Sequence, residues 1–304
     1  MSVAKPRKPD ELVQLIADYV MPRLPLEPAI RRVITSDGRL PVVVSVRESG
    51  QAPVDVGRQH KSFPVLVSIL ARRRNVWLTG PAGGGKTTAA QAAARALGIP
   101  FGSISVGPQT TQSALFGYMS ATGTYVASEF RRRYEHGGIF LLDEIDRGNP
   151  GVLTTLNQAV ENGTCAFPDA MVAKHHDFIC IAAANTYGMG ASREYIGALQ
   201  VDAATLDRFV MLDWPYDEAL ETDLTLAVYI AAGGTDEAVP NDWLVKVRLA
   251  RSRASALEIR HVVSPRASII GADLLASGIE PGVVAAAVLW KGLDGDTVSR
   301  LGGN

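Results

Sequence analysis

Apolar residues in this chain gather in short uninterrupted runs, and stretches of helical period separate those runs. "VWLTG" (76–80), "IFLLDE" (139–144) and "FICIAAAN" (178–185) are too short to be helices, and turn or polar residues bound them. A parallel strand covered on both faces has this signature. "FPVLVSILARRRN" (63–75) and "KTTAAQAAARALG" (86–98) read as helices, the second rich in alanine and closed by a glycine. "TGTYVASEF" (122–130) and "GTCAFPDAMVAKHHDF" (163–178) carry the turn residues and alternation of hairpins inserted between strands. The pattern predicts an α/β domain with helices flanking a parallel sheet.

After "VMLDWPYD" (210–217) the period becomes helical throughout. "DEALETDLTLAVYIAAGG", "NDWLVKVRLARSRASALEIR", "SPRASIIGADLLASG" and "PGVVAAAVLWKGL" are divided by Gly or Pro, which predicts a small all-helical second domain. Ahead of the α/β pattern, "DELVQLIADYV" (10–20) reads as a helix broken by Pro22, Pro25 and Pro28, and "LPVVVSVRESG" (40–50) as a strand and turn. The chain thus divides into an extension (1–58) with no assignable motif, an α/β core (59–214), a helical domain (215–292) and a flexible tail (293–304).

The 304 residues are 47% hydrophobic and 20% charged with a net charge of −1, so a globular fold is expected and whole-protein attraction to nucleic acid or membrane is not. Cys165 and Cys180 are the only cysteines and have no CxxC spacing, which argues against a disulfide framework or a structural zinc and for a reducing compartment. No run approaches membrane-helix length, and "MSVAKPRKPD" lacks the apolar core of a signal peptide. A soluble cytoplasmic protein is expected.

"GPAGGGKTT" brings in chemistry. It fits the phosphate-binding loop, Gly80-Pro81-Ala82-Gly83-Gly84-Gly85-Lys86-Thr87 followed by Thr88, between a predicted strand and helix. Its glycines permit a tight turn whose amides and helix N-terminus cradle phosphate. Lys86 would neutralise the β- and γ-phosphates of ATP, and the Thr87 hydroxyl would ligate Mg²⁺. The bland alternative, a Gly-rich turn capping a helix, does not need that strand–loop–helix context. Asp143 ends an apolar run where α/β sheets bind ligands and would hold the Mg²⁺ shell, with Glu144 beside it to polarise a water. Without a P-loop the two acids would read as a helix cap. Asn185 ends another such run; it is a turn former or, beside a γ-phosphate, a water-orienting amide.

The order P-loop, "LLDEIDRGNP", "AAANT", "LDRF" and "SPRAS" resembles the AAA+ ATPases, and within them the MoxR-like and dynein-related branch with its short bacterial and phage-encoded members. The resemblance runs from about His60 to Gly292. It implies a P-loop α/β core with hairpin insertions and a helical lid. Asp143 and Glu144 then match the Walker B acids, Asn185 sensor 1, and Arg266 sensor 2, which in this branch serves its own site or a neighbour's. His60 matches a position near the adenine and equally a plain loop residue, while Gln109 and Thr110 are candidates to gate Glu144. Arg208 of "TLDRF" matches an arginine finger acting in a neighbouring subunit, with Arg193 as the alternative.

The resemblance also implies a homo-oligomeric ring, hexameric and in some members ATP-dependent, that remodels a macromolecular partner. Relatives work with a separate protein carrying a metal-ion-dependent adhesion domain. A nucleic-acid loader or scaffold is the alternative, drawn from the arginine runs at 72–74 and 131–133, and a monomeric small-molecule kinase is a third reading. Near helix ends, those runs read equally as solvated cations. His175 and His176 have no partner at metal-ligand spacing.

Overall fold

The computed structural model describes residues 54–303, so the helix and strand expected within 1–53 lie outside the described residues. The described residues begin with α1 (Phe63–Ala71), β1 (Val76–Thr79), α2 (Lys86–Ala96) and β2 (Phe101–Ser105). A short α3 (Gln112–Phe116), the hairpin β3 (Tyr118–Met119) and β4 (Tyr125–Val126), and α4 (Glu129–His136) lead to β5 (Gly138–Asp143). Then come α5 (Pro150–Glu161), the hairpin β6 (Thr164–Ala166) and β7 (Met171–Ala173), β8 (Phe178–Ala184), α6 (Ala203–Leu206) and β9 (Val210–Asp213).

Five strands form one parallel sheet in the order β2-β5-β8-β1-β9. The apolar runs are its centre: β1 and β8 are buried at every position, β5 at all but Asp143. Alternate side chains leave a strand on opposite faces, so each run serves two cores. Trp77, Phe140, Leu142, Cys180 and Ala182 face α4, α5 and the hairpins. Val76, Leu78, Ile139, Leu141, Ile179 and Ile181 face α1 and α2. In α2 the buried residues after Lys86 are all alanines, Ala89, Ala90, Ala92, Ala93, Ala94 and Ala96. Their small side chains let the helix that follows the P-loop lie close on the sheet.

The helical domain is α7 (Glu218–Ala231), α8 (Ala238–Ala256), α9 (Pro265–Ala276) and α10 (Pro281–Val288) around a third core. Trp243 packs against Gly271, where a Cβ would stand 2.1 Å from the indole ring. The tail expected at 293–304 contains a fifth helix, α11 (Gly295–Leu301). Asp294 caps it by accepting from Thr297 N at 2.8 Å, and Leu301 is buried. Gly and Asp, read as looseness, are here a cap and a helix stop.

Candidate functional site

The C-terminal ends of β1, β5 and β8 open into a cleft of about 420 Å³ between the sheet and the helical domain. It is lined by Ala82 to Thr88, Asp143, Glu144, Asn185, His60 and Arg266 among others, so most of the residues expected from sequence meet in one place. Gly80 and Pro81 stand behind it as structural parts of the loop. A Cβ at Gly80 would meet Trp214 O at 2.0 Å, so only glycine fits there.

The P-loop turns through Gly83 and Gly85, with φ of 79° and 81°, and Gly85 is the N-cap of α2. Left-handed backbone of this kind suits glycine and leaves the first amides of the helix free for an anion. Lys86 is 8% exposed, and its ammonium donates to Gly80 O at 2.6 Å, Pro81 O at 3.1 Å and Asn185 Oδ1 at 3.0 Å. Burial drives its pKa from 10.5 down to about 8, against the pull of Asp143 and Asp146. The Asn185 amide, at the end of β8, and the P-loop lysine are therefore joined directly.

Thr87 Oγ1 donates to Asp143 Oδ2 at 2.6 Å. Two hard oxygens in contact beside a phosphate cradle fit a Mg²⁺ site by their chemistry. Glu144 has a left-handed φ of 56°, uncommon for a residue with a side chain, and its carboxylate accepts from Arg147 at 3.4 Å. Gln109 and Thr110 are not its partners: Thr110 turns back to accept from Gly107 N at 2.9 Å, and Gln109 is exposed. Arg147, three residues on in the same turn, is its partner.

Asp146, which the sequence pattern did not single out, is 1% exposed and organises the end of β8. Its Oδ2 accepts from Asn185 N, Thr186 N and Thr186 Oγ1 at 2.9–3.1 Å, which aims Asn185 at the cleft. An acid two residues after Glu144 was visible, but nothing in its spacing distinguished it from a helix cap. His60 stacks on Trp214 with ring centroids 4.1 Å apart. Its Nδ1 accepts from Ser62 N, which leaves Nε2 to donate to Pro215 O at 2.8 Å. Burial holds its pKa below the usual value, so it is a neutral wall of the cleft.

Arg266 lines the cleft of its own chain, its Cγ 3.6 Å from where a Gly83 Cβ would be. Arg208 and Arg193 are outside the cleft lining. Arg208 donates to Ala204 O and to Glu161, through Nε at 2.8 Å. Arg193 binds Glu258 of the helical domain, 3.2 Å to the carbonyl and 2.8 Å to the carboxylate.

The arginine runs are largely tied down. Arg131 is buried, paired with Asp169 at 2.7 Å and Glu135 at 2.9 Å, and lies over the Phe167 ring. Arg132 and Arg133 share Glu129, and Arg73 holds Asp177. His175, His176 and Asp177 do lie together, yet His175 Nδ1 accepts from Asp177 N and Asp177 is held by Arg73. No helix among the described residues is long and apolar enough to cross a membrane.

Residues 75–209 match the model of the AAA domain (dynein-related subfamily). No curated protein matches the chain. Among solved structures, a putative ATPase from Cytophaga hutchinsonii is similar at 18% identity and a TM-score of 0.44, over 70% of this chain and 72% of its own. NtrX from Brucella abortus is similar at 18% identity and a TM-score of 0.45, over 76% of this chain and 48% of its own.

Proposed function

Residues 75–209 are an AAA domain of the dynein-related subfamily and the chain is a P-loop ATPase; from that premise we propose that neighbouring copies complete each other's sites in a ring, and that lid movement driven by ATP remodels a macromolecular partner in the cytoplasm. The observation that carries the reading is the placement of the arginines. Arg266 lines the cleft of its own chain, whereas Arg208 is held outside it by Glu161, whose side chain is 57% exposed. An exposed ion pair of that kind contributes only about 0 to 1 kcal/mol. An arginine finger contributes about 10³ to 10⁵ in rate, or roughly 4 to 7 kcal/mol. Releasing Glu161 therefore costs little beside what a finger contributes to the transition state.

Within one cleft, the roles follow from position. The amides of Gly83 to Thr87 and the Lys86 ammonium hold the phosphates, while Asn185, aimed by Asp146, orients a water. Glu144 accepts the proton of that water as its oxygen attacks the γ-phosphorus, and ADP leaves with the β–γ bridging oxygen. Thr87 and Asp143 would hold Mg²⁺, which when bound neutralises charge on the β- and γ-phosphates. Arg266, on the first turn of α9, ties nucleotide state to lid position. Two free, buried cysteines suit a reducing compartment.

Mixing decides the matter. Arg208→Ala and Glu144→Gln chains, each inactive alone, regain part of the wild-type turnover when co-assembled, because an intact finger meets an intact base at some interfaces. No recovery in assemblies shown to contain both chains would remove Arg208 from the active site.

A further inference from the structure

One P-loop residue is held on both of its backbone polar atoms, one in each of the two peptides that flank it. Ala82 N donates to Tyr195 Oη at 3.0 Å, and Tyr216 Oη donates to Ala82 O at 2.8 Å. The two phenols come from different parts of the chain, Tyr195 from the loop after β8 and Tyr216 from the segment joining β9 to α7. Arginine pairs lie near both, in contact with the ring only at Tyr216. Two residues before Tyr195, Arg193 is fastened to Glu258. The Tyr216 ring lies under Arg251, its centroid 4.6 Å from the guanidinium carbon. Arg251 in turn donates to the buried Glu221 at 2.6 and 3.0 Å, and Glu221 also accepts from Ser268 at 2.6 Å.

We propose that Tyr195 and Tyr216 are positioning residues that clamp the Ala82 backbone from both sides and so hold the phosphate cradle in its binding shape before nucleotide arrives. The proposal rests on the P-loop being the ATP site. Gly83, Gly84 and Gly85 follow Ala82 directly, and three consecutive glycines have the widest backbone freedom of any tripeptide. Left alone, such a loop has to be ordered by the ligand, which weakens binding. The structure fixes the loop at its entrance instead. Pro81 restricts one dihedral, the two phenols hold the peptides on either side of Ala82, and Trp214 Nε1 donates to Gly84 O at 2.9 Å. The clamp takes the amide of Ala82 and none from Gly83, Gly85, Lys86 or Thr87. Burial raises the Tyr216 pKa, so its hydroxyl remains a donor at neutral pH.

The test uses the full chain with mant-ATP titration and steady-state ATPase assays on wild type, Tyr195→Phe, Tyr216→Phe and the double variant. Phenylalanine keeps the ring and removes only the hydroxyl. Each single variant is expected to weaken mant-ATP binding and raise KM by about 2- to 12-fold, the range of one net hydrogen bond, with the change in KM exceeding that in kcat. Because both hydroxyls hold the backbone of one residue, the double variant loses less than the product of the two single effects. Thermal unfolding without nucleotide serves as the measure of plain structural damage. Wild-type affinity in both single variants would overturn the clamp, and so would effects that multiply in full or that follow only the loss of thermal stability. If wild type itself bound no mant-ATP, the P-loop reading would fail instead; Lys86→Ala provides the non-binding reference.

Discussion

Replacing Lys86 by methionine should make the nucleotide-free protein relatively more stable at neutral pH than at alkaline pH. The Lys86 ammonium is buried, and its pKa falls from 10.5 to about 8. Between those values the unfolded chain binds more protons than the folded one, so this group's contribution rises with pH. Below pH 8 both states are protonated and the full penalty applies. A tenfold change in proton affinity is worth about 1.4 kcal/mol, which makes the penalty about 3 kcal/mol at pH 7 and about 1 kcal/mol at pH 10. Methionine has no charge to bury, so its advantage over lysine shrinks by about 2 kcal/mol across that range. The hydrogen bonds to Gly80 O, Pro81 O and Asn185 Oδ1 set the absolute difference at pH 7. They do not set its slope between pH 7 and 10, which follows from the pKa alone. At about 2 to 4 °C per kcal/mol, the gap in Tm should move by about 4 to 8 °C between pH 7 and pH 10. Differential scanning fluorimetry of both proteins in matched buffers, without nucleotide, measures this directly. A gap that stayed flat from pH 7 to pH 10 would refute the buried-ammonium argument. The same burial makes ATP phosphates the natural partners that relieve the penalty, so Lys86→Met should show no thermal shift on adding Mg·ATP.

Glu144→Gln is expected to bind nucleotide like wild type but turn it over at least about 10²-fold more slowly, the scale of a lost general base; near-normal steady-state release of phosphate would take the role from Glu144. Glu221→Gln leaves Arg248 and Arg251 facing a neutral amide inside the helical domain and should cost about 3 to 5 kcal/mol by denaturant titration, with an unchanged midpoint counting against the network. Burial raises the Glu221 pKa, but its bonds with Arg251 and Ser268 more than reverse this, and the net value lies below 4.5. Its contribution is therefore complete above pH 4.5 and is lost as pH falls through the lower folded value, a loss the glutamine variant should not show. Arg131→Met should loosen the β6–β7 turn at Asp169, read as faster amide exchange at residues 167–170, while leaving nucleotide affinity intact.

Apolar runs bounded by polar residues were sufficient to find β1, β5 and β8, because a strand buried on both faces is apolar except at its end. The P-loop, Asp143, Glu144 and Asn185 were legible for a related reason. A phosphate site at the ends of parallel strands places its residues just after those runs, so local spacing and function coincide. Arg266 was found by resemblance, and the structure added whose cleft it occupies. The helix at 295–301 was missed because Asp294, Gly295 and Gly302 mark a cap and a stop as readily as a loose end.

Other parts of the site depend on residues far apart in the chain, and no local pattern encodes them. Tyr195 and Tyr216 meet at Ala82 across 113 and 134 positions. Glu221 is joined to Arg251 and Ser268 on two other helices, and Asp146 reaches Asn185 across 39 positions. Whether Arg131 was a solvated cation or a buried one depended on Asp169 and Phe167 closing over it. The sequence by itself determined which chemical groups are present and which strand ends carry them, since hydrophobic burial and phosphate binding both act through short segments. The tertiary structure alone decided which groups face one another, because hydrogen bonds and ion pairs depend on distances that the folded chain sets.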